Sequence, residues 1–182
     1  MTMTMERENQ TVELETTAKL AGVELKTKAI CDKWLLLCYD MPHSEAGDKA
    51  RADFLAEAKK IGACKNTESV YLIPYSAAAG EAILKLAVVG TVRVFTSQSL
   101  EPIQDIELTH NYDQEIKDRL KELSHRVDRS LEMVKEGKLK ALENYRVITD
   151  EQMASLGEAV LRRESLDLAI IYEAIKARYV YA

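Results

Sequence analysis

The stretch Trp34-Leu35-Leu36-Leu37-Cys38-Tyr39-Asp40-Met41-Pro42 decides how this chain is read. An apolar run this short, closed by an acid and a proline, reads as a buried strand whose last residue emerges at the strand's carboxyl edge. Asp40 therefore stands where a carboxylate either binds a divalent metal or starts a turn. No other residue in the sequence is a comparably placed candidate for chemistry.

Working outward from that strand, His43-Ser44-Glu45-Ala46-Gly47 is a polar connection. Lys49 to Ile61 then carries Ala50, Phe54, Ala58 and Ile61 at helical spacing, with Gly62 as the expected C-cap. From Ala63 to Pro74 the β-branched and aromatic density rises around a polar centre at Asn66 to Glu68, which predicts the two strands of a hairpin. Ser76 is placed to cap an Ala-rich helix from Ala77 to Val89, closed by Gly90, and Thr91 to Thr96 follows as a strand. The order strand, helix, strand, strand, helix, strand predicts an α+β fold over residues 31–100. It is that of a ferredoxin-like βαββαβ sandwich, an antiparallel sheet with both helices on one face.

Residues 101–182 read as a helical carboxyl-terminal extension packed on that unit. From Asp113 onward, Ile116, Leu120, Leu123, Val127, Leu131 and Val134 draw one apolar stripe along a helix that Gly137 ends. Packing on its own domain is the favoured reading of the stripe, and a dimerising coiled coil is the alternative. Thr149-Asp150-Glu151-Gln152 has the pattern of a capping box opening a helix to about Arg163, and Ser165 precedes a last helix from Leu166 to about Tyr179. The connection from Ser97 to His110, containing Pro102, is the expected domain boundary. Residues 1–30, with weakly periodic apolar positions, are expected to be a mobile amino-terminal extension.

Composition narrows the classes. The chain of 182 residues is 47% hydrophobic and 30% charged, the balance of a globular protein able to bury a core without disulfides. No apolar stretch approaches a membrane span, and Met1 to Gln10 is polar, unlike a secretory signal, so a cytoplasmic location is expected. Cys31, Cys38 and Cys64 lack metal-ligand spacing and read as reduced core thiols. His43, His110 and His125 likewise share no ligand spacing and read as exposed. The formal charge of −5 gives no overall attraction to phosphate backbones. Nucleic-acid binding would need a local face, for which Arg119, Arg126 and Arg129 beside His125 are the candidates, although acids nearly match bases along that helix. There is no Gly-rich phosphate loop, no Gly-x-Ser-x-Gly elbow and no Cys-x-x-Cys, which removes the usual support for standard enzyme classes.

Three features together resemble a group of ferredoxin-like proteins: the strand-end phrase Leu36-Leu37-Cys38-Tyr39-Asp40-Met41-Pro42, the helix after it, and Gly62-Ala63 running into Ser69-Val70-Tyr71-Leu72-Ile73-Pro74. The group comprises the chromate-resistance regulators, through their amino-terminal domain, the small dimeric CRISPR-associated spacer-acquisition subunit, and the phenylacetate-pathway repressor, through its carboxyl-terminal domain. The chromate regulators look most similar, from about Trp34 to about Leu139, but a second sensing domain after the helices is not expected here. The resemblance implies a regulatory or nucleic-acid-associated binding module, cytoplasmic and homodimeric, acting in transcription regulation by DNA binding without a cofactor. It also implies an alternative, a nuclease in which Asp40 holds Mg²⁺ or Mn²⁺. A non-catalytic structural or protein-interaction subunit, using the long helix and Tyr172, Tyr179 and Tyr181, is the third reading.

Overall fold

The computed structural model describes residues 30–86 and 91–180. The expected amino-terminal extension, apart from Ile30, lies outside the described residues, as do positions 87–90, where the sequence predicts the helix end and its glycine cap, and Tyr181. Among the described residues nine elements follow in order: β1 (Trp34–Asp40), α1 (Glu45–Lys60), β2 (Cys64–Thr67), β3 (Val70–Pro74), α2 (Ala77–Leu86), β4 (Thr91–Ser97), α3 (Pro102–Lys135), α4 (Leu139–Arg163) and α5 (Leu166–Tyr179). The fold is α+β. The four strands form one sheet in the order β2-β3-β1-β4, and every pairing is antiparallel.

The apolar run is explained by burial on both faces. Side chains alternate across a strand, so Leu35 and Leu37 join Tyr71 and Ile73 on one side, against Phe54 and Ala58 of α1 and Ala79 and Ile83 of α2. Trp34, Leu36 and Leu72 point to the other side, where Tyr112 and Ile116 of α3 cover them. Leu36 is only half-buried there, whereas Leu37 is fully buried. An antiparallel sheet with one wet face would show alternation instead. The helical extension thus supplies the second cover, and Trp34 packs against Tyr112 with ring centroids 5.8 Å apart.

The local signals near the sheet act as the sequence predicts, with shifted edges. Ser44 Oγ accepts from the Gly47 amide at 3.2 Å, which starts α1 at Glu45, four residues ahead of the expected start at Lys49. Ser76 Oγ accepts from the Ala79 amide at 3.1 Å and caps α2. None of the three cysteines is in a disulfide; Cys31 and Cys64 are buried and Cys38 is half-buried.

In the extension two helices start earlier than expected. The segment from Ser97 to His110 is mostly helix: α3 begins with Pro102 in its first turn and runs 34 residues, about 51 Å at 1.5 Å per residue. Proline in a first turn lacks only an amide that has no helical partner anyway, so there it starts a helix and breaks nothing. The Thr149-Asp150-Glu151-Gln152 box does not open a helix either. It lies inside α4, which begins at Leu139, and the buried Thr149 hydroxyl donates to the Tyr145 carbonyl at 2.9 Å, one turn back. The stripe on α3 faces inward over its first four members: Ile116, Leu120, Leu123 and Val127 are fully buried against Met153, Leu156, Ala159 and Val160 of α4 and Leu168 and Ile175 of α5, whereas Leu131 is half-buried and Val134 exposed. Among the described residues no helix is long and apolar enough to cross a membrane.

Several weak acids held neutral in this core give the fold a defined alkaline limit. Burial first, then its hydrogen bond to Asp150, pushes the Tyr179 hydroxyl up to about 12. Burial is also the leading cause that raises Tyr71, Tyr112, Tyr172 and the Cys64 thiol. Each group binds its proton more tightly folded than unfolded. Its stabilising contribution is therefore complete below the unfolded pKa and is lost as pH climbs through the folded one. Denaturant titration is expected to show constant stability from neutrality to about pH 8.5 and a steady fall between about pH 9 and 12, the window set by unfolded thiol and phenol pKa values. A flat profile through pH 11 would contradict the burial of these groups.

Candidate functional site

A helix leaves its last carbonyls without intrahelical partners, and those carbonyls form the negative end of its dipole. At the end of α1 the Gly62 amide donates to the Lys59 carbonyl at 3.0 Å, and the extension supplies further donors. Arg119 Nη2 of α3 donates to the Lys59 carbonyl at 2.8 Å, and Ser155 Oγ of α4 donates to the same oxygen at 3.2 Å. Arg162 donates to the Ile61 carbonyl, and the buried Tyr112 hydroxyl donates to the Gly62 carbonyl at 2.9 Å. Gly62 makes this turn with φ of +81°, a conformation that favours glycine. Four side chains from two helices thus latch the sheet unit to the extension at one turn.

Beside the latch, between α1, α3 and α4, lies a cleft of about 420 Å³. Lys59, Lys60, Arg119, Glu115, Glu122 and Glu151 line it, with Gln152 and Ser155 among its polar walls and Ala56, Ile148 and Leu156 its apolar ones. Two lining residues carry a buried polar atom with no hydrogen-bond partner: Arg119 Nη1, a donor, and Gln152 Oε1, an acceptor. Buried polar atoms are almost always paired, and an unpaired one costs about 1–3 kcal/mol. The guanidinium is held by a carbonyl and by the Ser155 hydroxyl, not by a carboxylate. Nearby, Lys60 is held charged by its 2.7 Å contact to Glu57, with Glu151 adding to the effect. Glu115 Oε2 accepts from the Lys65 amide at 3.1 Å.

The residues singled out by sequence are placed as follows. Arg119 turns inward and belongs to the latch. Arg126 lies over the Tyr145 ring at 5.6 Å, and Arg129 pairs with Glu132 at 2.7 Å, so each of the three is engaged within the chain. His43, His110 and His125 are exposed. Tyr172 and Tyr179 donate to the Met153 carbonyl and to Asp150, respectively. Asp40 is exposed at the end of β1, paired across the sheet with Thr91. Among the described residues no group of three or more His, Cys, Asp or Glu is placed to hold a metal ion. Asp40→Asn is expected to change stability by less than about 1 kcal/mol, since Asn serves the same exposed strand-end role. A larger loss in denaturant titration would show a partner for the carboxylate.

Gln152 and Ser155 were not singled out by sequence. Their spacing of three puts them on one side of α4, but Gln152 reads first as part of a capping box, and Ser155 meets a carbonyl 96 residues away.

The chain matches no protein-family model and has no significant match among curated proteins.

Proposed function

We propose that this chain is a non-catalytic regulatory binding module, a homodimer built on a ferredoxin-like unit, in which a small ligand in the latch cleft sets how firmly the helical extension holds the sheet. The strand order β2-β3-β1-β4, with α1 after β1 and α2 after β3, supports the ferredoxin-like reading. The observation that carries the functional reading is the unpaired pair of buried atoms, Arg119 Nη1 and Gln152 Oε1, on residues that line the cleft beside the latch. A ligand that pairs them stabilises the latched form and leaves the unlatched form untouched, which is the condition for a switch. Phe95, Leu100, Ile103 and Ile106, exposed around the β4–α3 junction, offer apolar surface for the second copy or for a protein or nucleic-acid-bound partner.

Screening a chemically diverse fragment library by thermal shift, followed by amide hydrogen exchange, tests this reading. Compounds that raise Tm are expected to slow exchange at Ile61 to Ala63, the latched turn. The reading is overturned if no compound acts there, or if Mg²⁺- or Mn²⁺-dependent cleavage of nucleic acid appears and is lost in Asp40→Asn.

A further inference from the structure

We infer that the ligand of the latch cleft is a small zwitterion of the amino-acid type, its carboxylate on Arg119 and its ammonium group on Gln152 and the neighbouring glutamates. The inference rests on the cleft being the working site. Charge balance argues first: Lys59, Lys60 and Arg119 line one small space together with Glu115, Glu122 and Glu151, and Lys60 is paired with Glu57 outside it. A plain anion would be opposed by the carboxylates and a plain amine by Lys59 and Arg119, whereas a molecule carrying both charges is matched at each end.

The unpaired atoms argue second. Arg119 Nη2 is already committed to the latch, so the spare donor on Nη1 adds to a guanidinium whose planar fork suits a carboxylate. Gln152 Oε1 is an acceptor and asks for an N–H or O–H donor. Size argues third. A cleft of about 420 Å³ is at the small end of the roughly 300–1,000 Å³ range of ligand sites, which suits a single amino acid better than a nucleotide. Ala56, Ile148 and Leu156 give it an apolar wall for a side chain.

The test is calorimetric titration of the full chain with the common L-amino acids one by one, beside acetate and methylammonium at the same millimolar concentration. At least one amino acid is expected to bind and to raise Tm, while neither single-charge probe does. Gln152→Leu is expected to weaken that binding at least about tenfold, as loss of a hydrogen bond to a charged group does. Its Tm without ligand should be unchanged or higher, because the substitution removes an unpaired buried acceptor. Binding of acetate alone with the same affinity would overturn the zwitterion and leave a ligand cleft, so the regulatory reading would survive. Unchanged affinity in Gln152→Leu, or no binding by any amino acid, would also overturn it. Only a failed fragment screen would remove the cleft function as well.

Discussion

Asp113→Ala is expected to destabilise the fold by about 3–5 kcal/mol, the usual result of removing one partner of a buried ion pair. Arg163, at the end of α4, donates from Nε to Asp113 Oδ1 at 2.7 Å and from Nη2 to Oδ2 at 2.9 Å. The Arg163 side chain is only 2% exposed, against 19% for Asp113. Alanine at 113 therefore removes both of these charged hydrogen bonds from a guanidinium that water barely reaches. The double variant Asp113→Leu/Arg163→Met is expected to recover part of the loss, because an apolar pair of similar volume leaves no buried charge at this position. Urea titration of the two variants and the parent checks both expectations. A loss below about 1 kcal/mol in the single variant would mean that the pair behaves as a surface bridge.

Gly62→Ala is expected to cost about 2–5 kcal/mol through two separable effects. A Cβ in the left-handed conformation costs roughly 1–2 kcal/mol, and crowding a packed interface costs roughly 1–3 more. The added carbon would lie 2.8 Å from Ala159 Cβ and 3.2 Å from Ala159 Cα, so the collision is with the body of α4 and no flexible side chain can yield. Pairing the substitution with Ala159→Gly should reveal a favourable coupling, since the 2.8 Å collision with Cβ is removed while the 3.2 Å approach to the Cα and the backbone cost remain. Additive losses in that double-mutant cycle would show that the turn shifts away from α4. Because the turn is the latch, the same variant is expected to speed amide exchange at Ile61 to Ala63.

The sheet unit was legible in sequence because its signals are local. Trp34 to Asp40 is a strand by its own run, and Ser76 caps a helix three residues on, as read. The extension was less legible because two local signals were outweighed by packing. Pro102 lies in what reads as the connection between the two domains, and the first turns of α3 hide their inward face: Ile103 and Ile106 are exposed, while Thr109 and Tyr112 are buried. The Thr149 box sits mid-helix because Leu142 anchors the preceding turns of α4. The site was legible only in part. Arg119 was visible as a cation on a helix, but its partner is a carbonyl 60 residues away, and no periodicity in α3 encodes the end of α1. A polar residue on the buried side of an amphipathic helix, as Ser155 is, was the one available signal.

The position of Trp34 makes the protein its own optical probe. It is the chain's single tryptophan, 1% exposed, wedged between the sheet and α3 beside Tyr112. All of its emission therefore originates from the seam where the helices lie on the sheet. Circular dichroism, dominated by the long helices, reports whether they are wound. Comparing the red shift of indole emission with the loss of ellipticity along one melting curve separates peeling of α3 from its unwinding.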